Sequence, residues 1–166
     1  MMDVTAAPRT LSLERYYDVV MLLESYGRLL DEDRLEDWIE LFDTQAHYEI
    51  LSRENVEQGL LLALMLCDNK DMIYDRIFSL REANIYNLHY DCHILGLPRA
   101  APLETGEIQV SCAYSLYQST PEGVSRLFSV GRYSMLLVES DGRLKIRKQV
   151  VTVDTSAILT LLATPI

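Results

Sequence analysis

The chain has 166 residues, 49% of them apolar and 24% charged, and a formal net charge of -10 at pH 7. That length suits one domain with a real core, and the composition is that of a folded chain rather than a disordered one. The acidic balance works against nucleic acid and anionic lipid as partners, since both require a basic surface. The opening residues, MMDVTAAPRT, lack the apolar centre of a signal peptide, and no apolar run reaches the length of a membrane span. Three scattered cysteines, Cys67, Cys92 and Cys112, predict no disulfide framework and a reducing, cytoplasmic location.

In chain order, residues 1–10 read as a loose N-terminal segment and 11–166 as a single domain. A helix is predicted from Leu13 to Leu30, capped by Ser12, with Tyr16, Val19, Val20, Leu23, Gly27 and Leu30 on one stripe. A second helix follows at once. Asp33 as cap and Glu36 three residues on resemble a capping box, and Leu35, Trp38, Ile39, Leu41 and Phe42 supply its apolar side. The period then changes to two: Ala46, Tyr48 and Ile50 alternate with His47, Glu49 and Leu51, which predicts a strand. GLLLALMLC fits a buried strand or a helical turn.

The segment from Ile73 to Tyr86 reads as a third helix, apolar almost all round. Ile73, Ile77 and Leu80 share one face, Tyr74, Phe78 and Ile85 a second, and Asp75 and Ser79 form the polar strip. From Tyr90 onward the pattern is sheet. HILGLP is a strand ended by Pro98, and Ile108 to Gln118 alternates cleanly. TPEG, Thr120 to Gly123, is a tight turn, and Asp141-Gly142 a hairpin turn after the strand Ser125 to Glu139. In the last strand, LKIRKQVVTV, the alternation slips near Lys148 to Val151, as a bulge would cause. The fold class is α+β: a cone-shaped, curved antiparallel sheet packed against three helices.

Such a cone invites a search for chemistry. His89 and His93 have i, i+4 spacing, but at the start of a strand four residues span about 13 Å, too far for one ion unless the chain turns. The acidic run Asp31, Asp33, Glu36, Asp37 and Glu40 is explained by capping and solvation of the second helix. No cysteine has a CxxC or CxH neighbour, and no glycine-rich loop or nucleophile elbow is present. The remaining candidates are polar residues expected to line the cone: Tyr16, Tyr48, His93, Tyr114 and Arg132, among which a tyrosine and a histidine would polarise a carbonyl. Tyrosines that merely bury a ring and bond their hydroxyl are commoner.

The segment DNKDMIYDRIFSLREANIYNLHYDCHILGLP, Asp68 to Pro98, resembles the small (β) subunit of Rieske-type aromatic-ring-hydroxylating dioxygenases, most of all the branch acting on terephthalate, salicylate and anthranilate. Leu35 to Leu64 is similar to that family's Trp-x-x-x-Phe helix, first strand and Arg-Glu-Asn loop, and Phe128 to Ile158 to its closing hairpin. The resemblance implies the cone fold of ketosteroid isomerase and scytalone dehydratase, with no cofactor in this chain. It places a Rieske 2Fe–2S cluster and a mononuclear Fe(II) in a large (α) subunit, fed from NAD(P)H through a reductase, and three α assembled with three β. Self-association of the β chain to a trimer also fits. This chain would then be a structural subunit in aromatic acid catabolism, with no activity of its own.

On that reading the Ile73 face packs on the chain's own sheet, and Tyr74, Phe78, Arg81 and Ile85 meet a neighbouring subunit. Asp75, Arg76, Arg81 and Glu82 would fix the register. The alternative is a helix clamped between sheet and tail inside one domain. Two other functions stay open: a stand-alone isomerase, dehydratase or hydrolase working inside the cone, and a small-molecule-binding module without turnover.

Overall fold

The computed structural model describes residues 10–60, 62–82, 88–156, 158, 162 and 164–166. The first helix, α1, spans Leu13–Asp31, and the Ser12 hydroxyl accepts from the Arg15 main-chain N–H at 3.1 Å, as expected of its cap. Its buried stripe is wider than the sequence suggested, because Leu22, Tyr26 and Leu29 join Val19, Leu23, Gly27 and Leu30. A stripe this broad belongs to a helix that a curved surface enfolds.

The capping box is not formed. Asp33 has φ of 54° and sits in the left-handed turn that closes α1, where Arg34 N–H donates to Leu29 O at 2.8 Å. Arg34 caps the next helix without a side-chain bond. That helix, α2, is a single turn, Leu35–Trp38, followed by a 3-10 turn at Ile39–Leu41; together they drive Leu35, Trp38 and Ile39 into the core. Asp33 and Glu36 instead grip Arg81, at 2.6 Å and 2.9 Å.

Strand β1, Phe42–Ser52, turns Ala46, Tyr48 and Ile50 inward, as the alternation predicts. Ser52 then caps a short helix, α3, Arg53–Glu57, where the resemblance implies an Arg-Glu-Asn loop. The ambiguous apolar run forms strand β2, Ala63–Cys67, antiparallel to β1. Helix α4, Lys70–Glu82, buries Ile73, Ile77 and Leu80 on the expected face. Its predicted continuation, including Ile85, falls on 83–87, outside the described residues.

Four strands were anticipated beyond this point, and the described residues hold five. These are β3 (Tyr90–Leu95), β4 (Arg99–Pro102), β5 (Ile108–Ser119), β6 (Ser125–Ser140) and β7 (Arg143–Val153). The extra strand, β4, continues along the same edge of β5 that β3 occupies, after a break at Gly96–Pro98. Strand order is β2-β1-β7-β6-β5-β3. The β1–β7 pair is parallel, which corrects the all-antiparallel expectation. Three hairpin-linked strands return β7 to β1 in the same direction, and β2 through β6 supply the long connection that parallel pairing requires.

Curvature comes from irregularities in the ladder. Pairing shifts at Leu116/Tyr117 against β6, and again where Leu136 faces Lys148 and Leu137 faces Ile146. The second shift leaves Arg147 as the bulged residue, one position before the stretch where the alternation was read to slip. Arg147 uses the bulge to reach Asp43, at 2.8 and 2.9 Å. Within β6, Gly131 marks a close approach between strands. A Cβ there would lie 2.0 Å from Thr152 O and 3.0 Å from the Tyr114 ring.

Gly131→Ala is therefore expected to destabilise the chain by on the order of 3 kcal/mol in urea unfolding, as overpacking against backbone leaves nothing able to yield. The Arg81 hydrogen bond holds the Glu36 carboxyl below its ordinary range. The clamp thus stabilises above that range and is lost as pH falls through it. Arg81→Met should cost about 1 kcal/mol at pH 7, given its exposed partners, and much less at pH 3.

Candidate functional site

The cone interior is built from aromatic rings on five elements. Tyr26 comes from α1, Trp38 from α2, Phe42 and Tyr48 from β1, Tyr114 from β5 and Tyr133 from β6. Trp38 meets Phe42 edge-on at 4.7 Å and Tyr48 at 5.8 Å; Tyr26 meets Trp38 at 5.5 Å and Tyr133 at 5.4 Å. Tyr114 stacks on Tyr133 at 4.5 Å with 13° between the planes. Edge-to-face and offset contacts of this kind are each worth about 0.5–1.5 kcal/mol beyond the area they bury. Ile166, 1% exposed, packs in the same core; its terminal oxygen accepts from Tyr26 at 2.7 Å and Tyr48 at 3.1 Å.

Of the five residues expected to line a pocket, the structure brings only Tyr48 and Tyr114 into this cluster. The Tyr114 hydroxyl bonds Ser129 Oγ at 2.9 Å. Tyr16, half-buried, donates to Pro98 O at 2.8 Å, tying α1 to the break between β3 and β4. Arg132 is misplaced by the sequence reading: it is exposed, on the outer face with Val130 and Leu136, while Gly131, Tyr133 and Met135 face inward. Both faces of β6 carry apolar residues, so alternation alone did not fix which set is buried.

His93 faces the end of α1. Asp31 accepts from its main-chain N–H at 2.9 Å and contacts its Nδ1 at 2.6 Å. The carboxylate thus sets the tautomer, with the proton on Nδ1. Gly27 permits the approach, since a Cβ there would lie 3.3 Å from His93 Cβ. Beside the pair is a cavity of about 340 Å³ bordered by Leu23, Asp31, His93, Leu95 and Pro98. The imidazole itself is only 1% exposed, and its Nε2 has no protein partner among the described residues. Asp31 was read as helix dressing. Its position at the C-terminal end of α1, where the helix dipole disfavours a carboxylate, was the signal that it serves another purpose.

The sequence reading also missed Tyr26, Tyr133 and Gln149, all fully buried. Tyr133 and Gln149 each carry a polar group without a protein partner among the described residues. Burial pushes the Tyr26, Tyr48 and Tyr133 hydroxyls well above the ordinary tyrosine range, and Tyr114 to about 12. At neutral pH these hydroxyls keep their protons and do not act as bases. Among the described residues no three His, Cys, Asp or Glu side chains are grouped to hold a metal ion.

On α4 the two expected faces separate. Ile73, Ile77 and Leu80 are buried, while Tyr74 and Phe78 are 57% and 55% exposed. Asp75 and Glu82 are exposed beside them. Arg76 and Arg81 are spent within the chain, Arg76 on Leu162 O at 2.9 Å and Arg81 on Asp33 and Glu36. The helix is therefore fastened to α2 and to the tail by its arginines, as the clamped alternative required, and still presents two aromatic rings to solvent.

The profile of the ring-hydroxylating β-subunit family matches residues 27–160. The anthranilate 1,2-dioxygenase small subunit of Burkholderia cepacia is 36% identical over 95% of this chain and 98% of its own length. A β subunit of the terephthalate 1,2-dioxygenase terminal oxygenase component of Comamonas sp is 31% identical over 86% of this chain and 92% of its own. Among solved structures, the β subunit of a proposed aromatic-ring-hydroxylating dioxygenase of Novosphingobium aromaticivorans superposes with TM-score 0.83 at 34% identity. That match covers 92% of this chain and 97% of the other. A proposed scytalone dehydratase of the same organism shares the fold, with TM-score 0.69 at 12% identity over 90% of each chain. The chain belongs to the ring-hydroxylating dioxygenase β-subunit family.

Proposed function

We propose that this chain is the cofactor-free scaffold of a multicomponent dioxygenase that adds molecular oxygen to an aromatic acid in the cytoplasm. Three copies stand with three larger α subunits, which hold the Rieske cluster and the mononuclear iron and receive electrons from NAD(P)H through a reductase. The observation that carries the scaffold role is the exposed Tyr74–Phe78 pair on a helix whose arginines are already pinned. Aromatic side chains held rigid before binding lose little entropy on docking and supply much of an interface's energy. We assign this face, with Asp75 and Glu82 at its rim, to the α subunit.

The residues of this chain do not fit the iron centres. A Rieske cluster takes two cysteines and two histidines, and Cys67, Cys92 and Cys112 stand on β2, β3 and β5 without converging. The aromatic acid substrate class is supported by relatives that act on anthranilate and terephthalate. A second apolar area supports contact between β chains. On the outer face Cys92, Tyr117 and Leu127 lie side by side across β3, β5 and β6, next to Ile94 and Val130. An isomerase or dehydratase inside the cone is disfavoured by rings that fill it and hydroxyls that stay protonated.

Co-expression with the α subunit tests the reading. Phe78→Glu is expected to abolish co-purification while the isolated chain keeps its circular dichroism and unfolding midpoint. Retained co-purification would refute the assigned face, and turnover of an aromatic acid by the β chain alone would refute the scaffold role.

A further inference from the structure

Strand β3 ends the sheet, so one of its edges has no strand beside it. Gly96 N–H donates to Ala113 O at 2.9 Å, which fixes the parity of the β3–β5 ladder: the main-chain groups of Ile94 and Gly96 point to β5. Alternation then turns the N–H and C=O of His93 and Leu95 the other way, out to the free edge. His93 shows the result, since its N–H meets the Asp31 carboxylate at 2.9 Å, where the carbonyl of a further strand would lie. Asp31 thus blunts the edge at one residue, a common protection of exposed strands. Two positions on, no group among the described residues bonds the outward N–H or C=O of Leu95. These face the cavity of about 340 Å³ that lies between α1 and β3, with Val20, Leu23, Leu97 and Pro98 in its walls. The Asp31–His93 contact stands at one end of this groove and the Tyr16–Pro98 contact at the other.

An apolar groove with an unpaired strand edge along one wall suits an extended peptide. Main-chain hydrogen bonds attach such a segment, and the walls take its alternate side chains. We propose that an extended segment of the α subunit enters this groove and pairs with Leu95 as an added strand. The surroundings name the occupant. Asp31, at the head of the groove, is two residues from Asp33, which holds Arg81 of α4 at 2.6 Å. Phe78 lies about one helical turn before Arg81. The groove therefore leads to the α4 face assigned to the α subunit, and one partner covers both. The inference rests on the scaffold reading for its partner.

Hydrogen exchange in the co-expressed complex, quenched and read residue by residue by mass spectrometry, tests the pairing without any substitution. The Leu95 amide is expected to exchange freely in the isolated β chain and about tenfold more slowly, or slower still, in the complex. The Ile94 amide, turned toward β5, should be slow in both. Val20→Trp fills the groove and should weaken binding to the α subunit by about tenfold or more, a clash built against the incoming segment. The unfolding midpoint of the isolated chain should not move. An unchanged Leu95 amide in the complex overturns the proposal, and so does undiminished binding by a folded Val20→Trp chain. Protection of Leu95 in the isolated β chain at raised concentration also overturns it, giving the groove to a second copy. Should Val20→Trp fail to fold, the Leu95 amide decides. Phe78→Glu separates the two claims. Co-purification retained with Leu95 protected refutes the α4 face alone, whereas an unaltered chain that never binds the α subunit refutes the scaffold reading and this inference with it.

Discussion

The structure depends on how tightly its sheet coils at β6. Thr152 O lies where a side chain on Gly131 would begin, so β6 and β7 approach closely there, and rings from β1 and β6 meet Tyr26 of α1. The bulge at Arg147 and the shift at Leu116/Tyr117 also interrupt the ladder, and such irregularities bend a sheet. The enclosed space is narrow enough that six aromatic side chains span it in edge-on and stacked contacts. A flatter sheet would leave a cleft, and a cleft would have to be lined with groups able to meet water or substrate.

That filling decides what kind of work the molecule does. Buried tyrosines whose hydroxyls have been driven far above neutrality keep their protons, so the interior offers donors and no base. The proposed scytalone dehydratase shares the cone at 12% sequence identity, a likeness of fold alone. Here the chemistry-bearing residues are used for shape. Asp31 fastens β3 to the end of α1 through His93, and the Tyr26–Tyr48 pair fastens the tail.

Charge is handled the same way. In a chain with a net charge of -10, acidic residues outnumber Lys and Arg 25 to 15, and several arginines are committed to contacts within the chain. Arg81 joins α4 to the α1–α2 corner, Arg76 joins α4 to the tail, and Arg147 joins β7 to β1. Exposed ion pairs contribute little individually. Their effect is on geometry: they hold α4 in one pose against the sheet, so that the rings it exposes form a fixed surface rather than a mobile one.

Periodicity fixed most elements correctly, because it depends only on which face each residue shows. The α1 cap, the inward set of β1 and β5, the Asp141-Gly142 turn and the buried face of α4 were all legible. Where both faces of a strand are apolar the signal fails, and Arg132 was turned inward in error for that reason. Asp33 and Glu36 matched a capping pattern, yet Asp33 takes a positive φ at the end of α1 and Arg81, 48 and 45 residues downstream, binds both. The sequence by itself determined the class, the strands and the family resemblance, since these rest on local pattern and motif order. Only the tertiary structure decided that β1 pairs parallel with β7, that Asp31 belongs to His93, and that Ile166 sits between two tyrosines. Each of those contacts joins residues more than sixty positions apart, a distance over which no local periodicity carries information.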